Sequence, residues 1–443
     1  MRQKFSSWWF GLQYSLWFLP SVMTILAVLV AIGMIRVDRE LLAVRDLHVR
    51  WLFEGGAEGA RGVLTTIAGT MMTVATTAFS ITIVALQLSS SQFSPRILRR
   101  FTRDRGNQVV LGIFIATFAY AVIVLRSVRS ESSDGDAFVP SASVSLAILL
   151  AFSAIASLIF FFHHATRTIQ ATVIIEGAIQ DTFALIENLD RPGSEASTAK
   201  VALSNFADDA IRIRAERSGY VTHIDFDALL AMAAKYKLMF LVVPAVGEHL
   251  LSTSTLVKIA QAEDRGVSDA SRESLEREIR AAFRVEVERT LEHDVLLGFR
   301  QVSDVAIKAL SPGINDPSTA TICIDRLGEA LVRMGSARGE TRLLTAQDEE
   351  GGICYSPVAL EQAMDACIPQ IRHYGSDDVI VMTHLLRMLE AVALEADDRA
   401  WDLIAAEARL VEIEAVDALT VPADQQRVHD ASKWAAKPES IPG

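Results

Sequence analysis

Five hydroxyl residues, Thr66, Thr70, Thr73, Thr77 and Ser80, are spaced 4, 3, 4 and 3 apart. Those steps place them on one stripe of a helix. Val84 interrupts the stripe, and Gln87 and Ser91 continue it. Several copies of such a helix around an axis would stack rings of hydroxyls along a water-filled path. The stripe also has a plainer reading, tight helix packing. Ala68, Gly69, Thr73, Ala75 and Ala78 are small enough to let backbones approach, and Thr hydroxyls bond back to their own helix. A seam and a pore are compatible where the helix packs around a symmetry axis.

The next polar group follows at once. Ser94 before Pro95 reads as an N-cap and first helical residue, opening a short basic amphipathic helix. If the preceding helix lines a pore, Arg96, Arg99 and Arg100 sit at its inner mouth, where positive charge favours anions. Without a pore they are cytoplasmic positive charge held against lipid headgroups.

A third cluster lies far along the chain, in Ala309-Leu-Ser-Pro-Gly-Ile-Asn-Asp-Pro-Ser-Thr-Ala320. Asn315, Asp316, Ser318 and Thr319 are polar and pre-positioned, with Arg289, Asp294, Arg300 and Asp304 nearby in sequence. This could be a ligand or ion turn. The simpler account is a corner between two helices, with Asp316 as N-cap and Pro317 in the first turn. Phosphate loops of the Walker type, GxSxG, HExxH and the dinucleotide fingerprint are all missing, so neither an enzyme nor a cofactor is expected. Adjacent His163 and His164 point about 100° apart on a helix and do not make a metal site.

These residues need elements to hold them. The 443-residue chain is 51% hydrophobic and 22% charged, with a mean hydropathy of +0.29, which points to a membrane portion. Four stretches, at about 16–35, 62–88, 109–125 and 141–162, are long and apolar enough to span a bilayer of roughly 30 Å. The first lacks a cleavage site and reads as a retained anchor, with Trp8, Trp9, Tyr14 and Trp17 as an aromatic belt. The segment Ser89–Gln108 carries five Arg against Asp104, so the positive-inside rule puts both termini in the cytoplasm. No charge lies within the four stretches, which argues against a proton- or cation-coupled transporter.

Residues 1–162 carry a net charge of +5 and residues 163–443 carry −17. An acidic second half argues against nucleic acid, because a binder must neutralise phosphates. Cys323, Cys354 and Cys367 form no CxxC motif and suit a reducing compartment. The fourth span reads on without Pro to Leu189, as a helix of roughly 70 Å from Val144. It brings Ile175, Ile179, Phe183 and Ile186 onto one stripe and ends at Arg191-Pro-Gly. The remaining segments are a connector (163–200), a small β-rich module (201–262), a helical region (263–420) and a loose polar tail (421–443).

Three of these segments together resemble a bacterial family of predicted membrane proteins known only as a domain of unknown function. They are the Thr-rich span running into Leu86-Gln-Leu-Ser-Ser-Ser-Gln-Phe-Ser-Pro-Arg-Ile-Leu-Arg-Arg-Phe101, Ser218-Gly-Tyr-Val, and the Ala309–Ala320 turn. The likeness covers about residues 10–420. It implies an inner-membrane protein with an N-terminal membrane domain, and it implies no activity and no site residues.

The expectation is therefore a mainly α membrane protein, with four transmembrane helices followed by a cytoplasmic α+β domain. The function read from the residues is a homo-oligomeric, channel-like protein that favours anions. The competing reading is a membrane-anchored ligand sensor or scaffold with no pore. Expected partners are the lipid bilayer, further copies of the chain, and a small ion or small-molecule ligand.

Overall fold

A computed structural model describes residues 17–43, 53–92, 104–130, 138–168, 170–189, 194–195, 206, 210–260, 269–335, 339–345 and 351–436. The chain divides into two compact units, residues 1–173 and 174–443.

The first unit is built on four helices long and apolar enough to cross a membrane. They are α1 (Phe18–Ala43), α2 (Ala57–Gln92), α3 (Arg105–Ser127) and α4 (Ser141–Thr168). The third, shortest by hydropathy, is the central one. It packs against each of the other three and buries Val110, Phe114, Thr117, Tyr120, Ala121 and Val124. Gly112 leaves room for α1, since a Cβ there would meet Met23 Sδ at 2.5 Å. α2 contributes a face of small residues, Ala60, Ala68, Ala75, Ala78 and Ala85, with Leu64 and Met71 between them. Such a face lets backbones approach where dispersion, not hydrophobic exclusion, drives association. By contrast α1 exposes Ile25, Leu26 and Leu29, and α4 exposes Leu149, Phe152, Ile155 and Ile159. Large apolar side chains turned outward suit lipid.

The helix from Val144 does not run unbroken to Leu189. α4 ends at Thr168, Gln170 is not helical, and α5 spans Ala171–Glu187. The break falls in Thr166-Arg-Thr-Ile-Gln-Ala-Thr-Val173, a cluster of β-branched residues with poor helix propensity. Gly177 is buried within α5, as are Ile175, Ile179, Phe183 and Ile186.

The second unit combines helices with two small sheets. The larger sheet has the order β1-β8-β9-β4-β6-β2, built from β1 (Ser194–Glu195), β2 (Ile211–Arg214), β4 (Met239–Val242), β6 (Thr255–Ala260), β8 (Arg342–Thr345) and β9 (Gly352–Tyr355). Its neighbours are antiparallel except β4 and β9, which run parallel. The smaller sheet has the order β5-β3-β7, from β3 (Gly219–Ile224), β5 (His249–Leu250) and β7 (Phe283–Glu286). Between β3 and β4 sits α6 (Phe226–Tyr236), capped by Asp225, which accepts from Ala228 N at 2.9 Å. The β-rich part is therefore wider than 201–262, because β7, β8 and β9 come from the stretch read as helical. Each has four residues, and a strand that short sets up no periodicity of its own.

Its further helices are α7 (Asp269–Ala281), α8 (Val295–Ala309), α9 (Pro317–Met334), α10 (Leu360–Gly375), α11 (Val379–Glu395), α12 (Asp398–Ala418) and α13 (Pro422–Ser432). Asp316, Asp378 and Asp397 cap α9, α11 and α12. The tail is not loose as far as residue 436. α13 starts on Pro422, buries Val428 and Ser432, and packs against α11 and α12. Its polar composition hides one apolar anchor, which composition alone does not weigh. Residues 437–443 lie outside the described residues.

Candidate functional site

All six residues of the polar stripe, Thr66, Thr70, Thr73, Thr77, Ser80 and Gln87, are exposed on the first unit. The inner seam is made by Ala68, Ala75 and Ala78, while Gly69 and Thr73 face outward. The two small-residue patterns of α2 thus separate onto different faces. Four hydroxyls of the outer region bond back to their own helix: Thr66 to Gly62 O at 2.8 Å, Thr73 to Gly69 O at 3.0 Å, Thr76 to Met72 O at 2.9 Å and Thr77 to Thr73 O at 3.0 Å. Each such proton is held by a carbonyl, so the face presents oxygen lone pairs and methyl groups outward. Arg96, Arg99 and Arg100 lie outside the described residues.

The ends of the helices are tied by groups that the sequence pattern did not single out. Asp38 of α1 is buried. It accepts hydrogen bonds from Ala142 N at 2.8 Å, Ser143 N at 2.9 Å and Ser143 Oγ at 2.5 Å, so one helix caps the N-terminus of another. At the opposite end, Asp104 caps α3 through Gly106 N at 2.8 Å and meets His164 Nε2 of α4 at 2.5 Å. The sequence signal that could have found Asp38 was its place two residues after Arg36, just past the apolar run, where the helix still continues.

The turn at residues 311–316 is a helix corner. Asp316 accepts from Thr319 N at 3.1 Å and from Thr319 Oγ1 at 2.6 Å. Asp316 N donates to Ala309 O, and the N–H groups of Ile314 and Asn315 donate to Ser311 O. Asn315 takes a left-handed φ of +51°, which its short amide side chain tolerates. Asn315 and Ser318 are exposed, and Asp316 and Thr319 are half-buried. The oxygens of Asp316 are thus engaged in capping. Two of the four charged residues nearby in sequence form a separate pair. Arg289 Nε and Nη2 donate to Asp294 at 2.7 and 2.8 Å, and Asp294, 1% exposed, also caps α8 through Leu297 N at 2.9 Å. Arg300 bonds instead to Asp304 at 3.2 Å and to Gln370 Oε1 at 2.6 Å.

A groove of about 990 Å³ opens between α9 and α11. Arg326, Arg333, His384 and Arg387 line it with Asp325 and Glu329. Arg326 pairs with Glu176 at 3.0 Å and Glu329 at 2.7 Å, and His384 pairs with Asp325 at 2.6 Å. Arg326 is thus matched by carboxylates, as is Arg333 by Glu187 at 3.5 Å, so the groove is not a bare anion site. The three cysteines are buried and unbridged. Burial pushes the Cys354 thiol up to about 11 and raises the other two further, which removes thiolate character at neutral pH.

Residues 13–391 match the family described as a predicted membrane protein, DUF2254. An uncharacterised protein of Mycobacterium bovis is 34% identical over 389 residues, covering 86% of this chain and 71% of that protein. An uncharacterised protein of Mycobacterium tuberculosis matches with the same identity and coverage. No solved structure matches.

Proposed function

The chain belongs to the family of predicted membrane proteins described as DUF2254, and from that premise we propose that it is a homo-oligomeric, channel-like protein. In this reading it is a multi-pass protein of the inner membrane with both termini in the cytoplasm. It conducts small ions along α2, and the acidic second unit assembles or gates it. It carries out no catalytic step.

One observation carries the reading. The outward side of α2 carries Thr66, Thr70, Thr73, Thr77 and Ser80 among exposed Met72, Phe79, Ile83, Val84 and Leu88, whereas the outward sides of α1 and α4 are dominated by Ile, Leu and Phe. Lipid is the natural neighbour of the second kind of face. A hydroxyl face gains most from water or from a second copy of the same face around an axis. With the protons of Thr66, Thr73 and Thr77 held by carbonyls of their own helix, those hydroxyls have no intrinsic pull on anions, so anion preference rests mainly on Arg96, Arg99 and Arg100.

Reconstitution in planar bilayers tests the proposal. Wild type conducts, and changing Thr73 and Thr77 to Leu blocks or sharply reduces the current. A silent wild type, or a current indifferent to both changes, overturns it. The groove between α9 and α11 supports a second reading, an anchored sensor or scaffold, in which a ligand raises the melting temperature of the full chain and no current exists.

A further inference from the structure

The polar stripe of α2 changes character toward its end. Val84 stands eighteen residues after Thr66, and Leu88 eighteen after Thr70. Eighteen residues make about five whole turns, so each lies on the same line of the helix as the hydroxyl it follows. Both are exposed, Val84 by 55% and Leu88 by 45%. The other large apolar side chains on the outward side lie off that line. Ile83, Met72 and Phe79 sit about 100–140° around the helix from Thr66 and Val84. They form a flank beside the stripe, where lipid is the natural neighbour. Gln87 is exposed and lies about 60° from Val84, at the stripe's edge.

Along the stripe the order is therefore hydroxyls over about 21 Å, from Thr66 to Ser80, then an apolar band about 6 Å deep, from Val84 to Leu88. The band lies at the end of α2 that leads to Arg96, Arg99 and Arg100.

We propose that Val84 and Leu88 form the gate of the path along α2, a role that rests on α2 lining such a path. Copies of α2 around an axis stack the hydroxyls into polar rings, and they stack Val84 and Leu88 into two apolar rings. Water wets the polar rings and withdraws from a narrow apolar one, which stops ions without any side chain plugging the way. A barrier of this kind needs no charge in the path, and no acidic or basic residue lies between Arg61 and Arg96.

Planar bilayers holding the full chain read the gate as the ratio of open to closed time. Val84→Ser puts a hydroxyl at the barrier and keeps it wet. It raises that ratio at least about fivefold, the effect of one net hydrogen bond, and Leu88→Ser acts in the same direction. Ile83→Ser, at the same depth but on the flank, leaves the ratio at its wild-type value. Val84 is exposed, so its replacement leaves the packing of the bundle intact. A conducting wild type whose ratio Val84→Ser leaves unchanged, or Ile83→Ser raises as much, overturns the gate and leaves the path standing. Silence of wild type and Val84→Ser alike overturns the path, and the gate with it.

Discussion

Asp38 and Ser143 stand 105 residues apart and form a double hydrogen bond, Ser143 N and Oγ both donating to Asp38 Oδ2 at 2.9 and 2.5 Å. The carboxylate of one apolar helix thereby satisfies orphan N–H groups at the start of another. Tyr120 Oη adds a bond to Ser143 O at 3.1 Å, so three helices meet at this point. Asp38→Ala leaves those donors unpaired. The expected loss is about 2 kcal/mol, seen as a lower melting temperature in detergent, with Asp38→Asn falling between. An unchanged melting temperature for Asp38→Ala would show that the cap contributes nothing.

The two faces of α2 make opposite predictions. Ala75 is buried in the seam and Thr73 is exposed. Ala75→Leu overpacks the bundle and costs about 1–3 kcal/mol, whereas Thr73→Leu leaves the melting temperature of the dissociated chain within about 0.5 kcal/mol of wild type. Equal damage from both would mean that the hydroxyl face is an internal seam after all.

Gly247 has φ +90°, and a Cβ there would run into Asp294 and meet Arg289 Nη2 at 2.8 Å. Gly247→Ala both strains the backbone and forces apart the Arg289–Asp294 pair, which is buried on the Asp side. The expected cost is about 3 kcal/mol or more. Soluble yield and thermal unfolding read it directly. Gly247→Ala with wild-type stability would remove this pair from the structural account.

Arg372 gives a pH-dependent test. It meets Glu407 at 2.5 Å and Glu414 at 2.8 Å, and both Arg372 and Glu407 are mostly buried. Burial raises the Glu407 carboxyl above its usual range, Arg372 pulls it back, and Asp365 and Glu414 push it up. Removing Arg372 leaves the raising influences alone. A carboxyl raised in the folded state stabilises fully below its unfolded pKa, and that contribution is lost as pH rises through the folded value. Arg372→Met should therefore cost about 3–5 kcal/mol at neutral pH and recover part of it on acidification toward pH 5. A deficit that stays constant from pH 7.5 to 5 refutes the assignment.

Much of the architecture was legible because local chemistry set it. Four runs of apolar residues have only one stable home for their backbone amides, so the membrane helices followed from composition. Asp316 before Pro317 announced a cap that the structure contains. What was not legible depended on distant partners. β9 pairs parallel to β4 across more than a hundred residues, and a four-residue strand signals nothing until its neighbour is present. α13 reads as polar tail until Val428 finds the surface of α11 and α12.

The stripe shows the same division within one helix. The sequence by itself determined that hydroxyls at 66, 70, 73, 77 and 80 share a side, because helical geometry fixes the angle between residues. It could not determine which side turned inward, since alanine and threonine faces are both small enough to pack. Only the tertiary structure decided that, by setting α2 against α3 and α4 through its alanines and leaving the hydroxyls outside. The reason is physical: side-chain spacing is a property of one helix, and burial is a property of the pair.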